Sequence, residues 1–170
     1  MSLPAGYRLR APAPGDLDAV ADALIATELD EAGQAVLGTD FVRDEWSRVG
    51  FELAADAWVV VDGAGVIVGY VQARPEELSL VECWGVVHPV HRGRGIGSFL
   101  LNLTQERASG LLAGLGSGRF RHAVNAGDRA AAAMLQARGL RLVRHFWHMQ
   151  IDLAGPCVSP ARHRDRKSVV

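Results

Sequence analysis

The sequence predicts an α/β (α+β) fold in one domain: a mixed, mainly antiparallel sheet of six to seven strands flanked by about four helices. Three observations carry this. The chain has 170 residues, enough for one core without covalent staples. Apolar residues make up 49% and charged residues 22%, which excludes a disordered chain. The apolar pattern alternates between strand and helix periods in the order β-α-α-β-β-β-α-β-α-β, so a meander is followed by one parallel βα crossover.

Each element has a local reason. Tyr7-Arg8-Leu9-Arg10 alternates as a short strand and is broken by Pro12, Pro14 and Gly15. Asp16 caps a helix with Leu17, Val20, Ala21, Leu24 and Ile25 at helical spacing. Asp40 is expected to cap a second helix carrying Phe41, Trp46 and Val49. Trp58 to Val61, the turn Asp62-Gly63-Ala64-Gly65 and Val66 to Val71 read as a hairpin. A further strand runs from about Leu78 to Val87. Ile96, Phe99, Leu100, Leu103 and Leu111 then recur at helical spacing, so a helix opens at a run of glycines. Arg119 to Val124 is a strand, Asp128 caps an alanine-rich helix ending at Gly139, and Leu142 to Leu153 alternates as a last strand. Residues 1–154 form the expected domain, and 155–170 read as a linker or disordered tail.

Composition excludes several classes. A net charge of -1 and a pI near 6.6 argue against a nucleic-acid binder. Two cysteines, Cys83 and Cys157, without a CxxC spacing support neither a disulfide framework nor a zinc site, and no metal is expected. No apolar run reaches membrane-spanning length, and the start lacks a signal-peptide profile, so the expected compartment is the cytoplasm.

The segment that carries chemistry is Trp84 to Ser98. A strand ends at Val87, and glycines at 93, 95 and 97 precede a helix. Their backbone N–H groups, uncovered by side chains, add to the positive end of the helix dipole and make a nest for a diphosphate. Arg92 and Arg94 would add charge-assisted bonds. A Walker loop needs a Gly-Lys-Ser/Thr ending, and Gly97 is followed by Ser98 without a lysine. A dinucleotide fold needs GxGxxG and a later acid, and here the pattern is GxGxG with no acid from Leu112 to Gly118.

The string Val87-His88-Pro89-Val90-His91-Arg92-Gly93-Arg94-Gly95-Ile96-Gly97 resembles the acyl-CoA-binding motif R/Q-x-x-G-x-G/A of the GNAT superfamily of N-acyltransferases. The resemblance covers residues 7 to 153. It implies that the diphosphate of coenzyme A lies on Arg92, Gly93, Arg94, Gly95, Ile96, Gly97 and Ser98. It implies further that the pantetheine arm pairs with the backbone near Val86 and Val87, which requires a sheet splayed at that point. The segments Pro14 to Asp16, Asp56 to Val61 and Leu142 to Leu153 look like the tandem GNAT proteins similar to mycothiol synthase. A second GNAT domain or a homodimer is therefore an expected partner.

Acetyl transfer to an amine needs a polarised thioester carbonyl, for which N–H groups near Val86 or Val87 would serve. It also needs a base near the end of the same strand. Glu82 is the first candidate, sharing a face with Trp84 and Val86, against the alternative of a carboxylate paired with an arginine. His88 is the second, and His145 and His148 lie on opposite faces of the last strand. The family's pattern, aligned on Gly139, puts Asp128 at an Asn position and Leu135 where many members carry the acid Tyr. Asn125 would contact pantetheine or simply make a turn.

One terminal feature stands apart. The only lysine among 18 basic residues is Lys167, in Asp165-Arg166-Lys167-Ser168-Val169-Val170. That string is what one frame of a common sequencing adapter encodes, so residues 165–170 read as an artefact on a chain that continues. The expected function is an N-acetyltransferase moving acetyl from acetyl-CoA to a small primary amine by direct transfer. The alternatives are a non-catalytic CoA-binding or packing half of a tandem protein, and an acetyltransferase acting on protein N-termini or lysines.

Overall fold

A five-stranded sheet of order β1-β2-β3-β4-β5 forms the centre of the computed structural model, which describes residues 2–76, 79–115 and 117–146. The strands are β1 (Arg8–Arg10), β2 (Ala57–Val61), β3 (Ile67–Pro75), β4 (Leu80–Val87) and β5 (Arg119–His122). The helices are α1 (Leu17–Ala32), α2 (Thr39–Trp46), α3 (Leu53–Asp56), α4 (Ile96–Leu111) and α5 (Arg129–Ala137). The first three pairings are antiparallel, and β4 runs parallel to β5 through the α4 crossover, as the pattern predicts.

The two sheet faces bury different helices. On one, Val59, Val61, Tyr70 and Val86 meet Val20, Ala21, Leu24 and Val42 of α1 and α2. On the other, Val60, Val68 and Val71 meet Ile96 and Leu100, while Ala73, Val81 and Cys83 meet Ala108 of α4. A bulge where Val60 pairs Gly69 and Val61 pairs Ile67 shifts the alternation of β3, so that Ile67 and Tyr70 share one face and Val68 and Val71 the other. Gly69 permits close packing there, since a Cβ would stand 3.3 Å from both Ile96 and Leu100.

Three expectations change. The second helix is capped at Gly38, so Asp40 sits inside its first turn and pairs with Arg43. The one-turn helix α3 is unforeseen. It is held by buried Asp56, whose carboxylate accepts from Glu52 N–H at 2.8 Å and pairs with Arg107 of α4 at 2.7 Å. Third, the described residues carry five of the six to seven expected strands. The expected last strand begins at Leu142, but residues 142–146 form neither strand nor helix. Leu142 and Val143 are 67% and Phe146 70% exposed. The rest of that strand, His148 and the tail lie outside the described residues. Contacts group residues 1–140 as one compact unit and 141–170 as another, and the expected boundary at 154 lies outside the described residues.

Asp16 ends β1's exit turn by accepting from Ala13 N–H at 2.7 Å and from both guanidinium ends of Arg10, at 2.5 and 2.9 Å. Arg10 holds the Asp16 carboxyl below the usual carboxylate value. A lowered acid contributes stability that is present at neutral pH and lost as pH falls through the folded value. Because Arg10 is 41% exposed, Asp16→Asn should cost only about 1 kcal/mol at pH 7. Denaturant curves should show that difference shrinking as pH falls below the ordinary carboxylate range.

Candidate active site

Main-chain pairing along β4 is asymmetric. Its partner β3 follows it from Val81 to Val87, whereas β5 accompanies only Leu80 to Cys83. Parity shows which groups the missing partner leaves open. Leu80 O accepts from Glu76 N–H at 2.8 Å, and His88 N–H donates to Val68 O at 2.9 Å. Even-numbered residues of β4 therefore turn their main chain to β3. Ser79 O and Cys83 O accept from Arg119 and Ala123, so odd-numbered residues face the β5 side. Beyond Cys83 these are Gly85 and Val87, and there β5 has ended.

The expected splay is thus present, with a change of residue. Val87 faces the gap as expected. Val86 does not, because its main chain pairs with Tyr70. Gly85 is the residue the sequence reading missed, since parity is defined only once a partner's register is known. A Cβ on Gly85 would stand 2.6 Å from Tyr70 O and 2.7 Å from Val71 Cγ2, so only glycine lets β4 lie this close to β3.

The chain leaves β4 through a 3-10 turn at Pro89–His91 and enters the glycine segment. Gly93 and Gly95 have φ of +72° and +88°, a region L side chains rarely adopt. Gly95 caps α4 without a side chain, and the first helical bond runs from Phe99 N–H to Gly95 O at 3.1 Å. The N–H groups of Ile96, Gly97 and Ser98 precede any intrahelical acceptor. Gly97 is not required by packing, since a Cβ would meet Met134 and Val87 at an ordinary 3.8 Å. At Gly93 a Cβ would meet nothing within 4 Å. The turn is an open cradle lined by main-chain donors, and it suits a diphosphate.

The arginines behave differently from expectation. Arg92 donates to Val87 O at 3.2 Å, Asp30 at 2.9 Å and Glu31 at 2.6 Å. Arg94 donates to Tyr7 Oη at 2.9 Å and Val90 O at 3.1 Å, and Tyr7 Oη also bonds His91 Nδ1 at 2.9 Å. Both guanidiniums are engaged inside the chain rather than free for the nest. Ser98 Oγ donates to Met134 Sδ at 3.3 Å, tying α4 to α5. Asn125 makes the turn, accepting from Gly127 N–H at 3.0 Å. Asp128 caps α5, accepting from Ala131 N–H at 2.8 Å.

The two base candidates do not meet. Glu82 and His88 are six residues apart, about 20 Å at the rise of a strand. Glu82 lies between Arg74 at 3.5 Å and Arg121 at 3.4 Å, which is the ion-paired alternative. His88 sits where β4 ends, and its Nδ1 is buried without a hydrogen-bond partner. Leu135 is 6% exposed, so the position aligned with the family's acid Tyr is core. His145 is described but belongs to no helix or strand.

A buried polar network escaped the sequence reading. Trp46 Nε1 donates to Tyr70 Oη at 2.8 Å, Tyr70 to Gln72 at 2.6 Å, and Gln72 Nε2 to Glu45 at 2.7 Å. Trp84 Nε1 reaches the same Glu45 oxygen at 3.3 Å, and Arg48 pairs with the other at 2.7 Å. Burial, and Glu45's charge, push the Tyr70 phenol up, so it stays a donor. The available signal was polar Gln72 and Arg74 at alternating positions in an otherwise apolar strand. Burial likewise pushes the Cys83 thiol up, leaving it unreactive. Among the described residues no cluster of His, Cys, Asp or Glu could hold a metal ion, and no helix is long and apolar enough to cross a membrane.

A family model for the acetyltransferase (GNAT) domain matches residues 54–143, which take in β2 to α5 with the end of β4 and the glycine segment, but not α1 or α2. The chain belongs to the GNAT acetyltransferase family. Among curated relatives, mycothiol acetyltransferase of Streptomyces avermitilis is 34% identical over 152 residues, covering 86% of this chain and 44% of that protein. Mycothiol acetyltransferase of a Nocardioides species is 36% identical over 99 residues, 58% of this chain and 28% of its own. The GNAT chain thus spans less than half the length of these relatives. Among solved structures, a GCN5-related N-acetyltransferase of Sphaerobacter thermophilus superposes with a TM-score of 0.74 at 24% identity, over 82% of this chain and 45% of that one. A Salmonella typhimurium protein solved with its cofactor acetyl-CoA superposes at 0.62 and 21% identity, over 82% of each chain. These two likenesses establish the fold.

Gly85→Ala should destabilise the GNAT fold by about 1–3 kcal/mol, read as a lower urea midpoint. A loss below about 0.5 kcal/mol would contradict the close β3–β4 approach.

Proposed function

We propose that the chain is an N-acetyltransferase that moves acetyl from acetyl-CoA to a primary amine of a small molecule, by direct transfer in a ternary complex in the cytoplasm. The observation that carries this reading is the placement of a glycine nest next to an uncovered end of β4. In this reading the N–H groups of Ile96, Gly97 and Ser98 hold the diphosphate, and Gly93 and Gly95 give it room. Gly85 and Val87 pair with the amide groups of the pantetheine arm as a missing strand would. The cosubstrate supplies the activated acyl group. A main-chain N–H at the gap polarises its carbonyl.

The amine nitrogen forms a bond to the carbonyl carbon, the C–S bond breaks, and one proton passes from nitrogen to sulfur. What favours His88 over Glu82 as proton acceptor is position. His88 lies at the open end with an unpartnered Nδ1, whereas Glu82 is held by two guanidiniums farther back on β4. Water is left to return the proton to sulfur, since Leu135 offers none. The likeness to mycothiol acetyltransferases supports amino-sugar and amino-thiol acceptors. The same Leu135 favours a second reading, a CoA-binding half of a tandem protein without catalysis.

A panel of amino sugars, amino-thiols and a lysine peptide, assayed for CoA release, separates these readings. Turnover of an amine supports the first, and calorimetric CoA binding without turnover supports the second. His88→Ala should lower kcat/KM by about 100-fold, and Glu82→Gln by less. Gly95→Glu and Gly97→Glu put a carboxylate at the nest and should each weaken CoA binding at least about tenfold. A folded variant that binds CoA as the parent does would remove the nest from the account.

A further inference from the structure

Arg92 opens the glycine segment, yet its bonds run to other elements. Nε donates to Val87 O at 3.2 Å, the carbonyl at the uncovered end of β4. Nη1 and Nη2 reach Asp30 and Glu31 in the last turn of α1, at 2.9 and 2.6 Å. A cation there also complements the negative end of the α1 dipole. The Glu31 side chain is only 6% exposed. Its burial and the nearby Asp128 carboxyl push its proton affinity up, and Arg92 opposes them. The same end of α1 lies on the turn before α5, where a Cβ on Gly127 would stand 3.0 Å from Glu31 O. One guanidinium therefore joins the end of β4 to the end of α1, and α1 in turn abuts the entry to α5.

Recruiting Arg92 to a diphosphate would break two ion pairs and leave the buried Glu31 carboxylate without its cation, which is costly. The nest has main-chain donors enough without it. We propose that Arg92 is a positioning residue: it holds the open end of β4 in place against the C-terminal end of α1, and does not bind the diphosphate. This rests on the acetyltransferase reading of that site.

The test separates cofactor affinity from turnover. CoA affinity is measured by calorimetry, and kcat and KM with the fastest amine of the panel, for Arg92→Gln, Arg92→Lys and Glu31→Gln. All three should bind CoA within about threefold of the parent, which also shows them folded, while kcat falls about 10- to 100-fold as the end of β4 loses its position. Lysine should fail to rescue kcat, because one ammonium cannot span three partners. Adding Glu31→Gln to Arg92→Gln should cost little more, since the two act through one contact. Asp30→Asn, which removes only the exposed arm, is the mild variant and should lower kcat about two- to fivefold at unchanged CoA affinity. The proposal is overturned if Arg92→Gln weakens CoA binding tenfold or more and lysine restores it, or if kcat is unchanged in all variants. A parent chain that binds no CoA overturns the proposed function as well, whereas the two results above leave that function standing.

Discussion

Sheet hydrogen bonding runs out on one side of β4 after Cys83, and the site follows from that gap. Inside a sheet every main-chain donor and acceptor has a neighbour. Here β5 stops while β4 continues, so the main chain of Gly85 and the N–H of Val87 face an opening beyond the end of β5, while Val87 O accepts from Arg92. Such groups call for an extended, amide-bearing partner. The glycine turn begins a few residues later on the same chain, and in the proposed reading CoA meets both, with its amide arm and its diphosphate.

Two sets of polar contacts hold the opening in shape. The Arg92 fork joins α1 to β4 at the open end. On the α2 side of the sheet, Glu45 gathers Gln72, Trp84 and Arg48, with Arg74 close by, so α2 is registered against β3 and β4 by directional bonds rather than by apolar contact alone. Apolar packing places the helices to within a turn. Directional bonds, of which the buried Gln72–Glu45 bond of 2.7 Å is the tightest joining α2 to the sheet, fix which turn faces which strand.

Much of the fold and part of the site were legible in the sequence, for local reasons. The Asp62–Gly65 hairpin, the Asp128 cap and the glycine entry to α4 each depend on a few adjacent residues whose chemistry admits few conformations. What stayed hidden depends on partners distant in sequence. Val86 and Gly85 exchange roles according to the register of β4 on β3, which composition does not reveal. Arg92 finds its carboxylates 61 and 62 residues away, and Glu82 finds Arg121 39 residues away. The helix α3 is a single turn, too short to show a period, and is secured by the long-range Asp56–Arg107 pair.

The most direct measurement is the amide spectrum of the chain during titration with CoA. We expect the largest shifts at the N–H groups of Gly93 to Ser98 together with Gly85 and Val87, two sets apart in the chain that move as one binding event. Shifts confined to the turn, or clustered on β1, α2 or the outer face of α4, would contradict the gap in the sheet as the place where the cosubstrate lies.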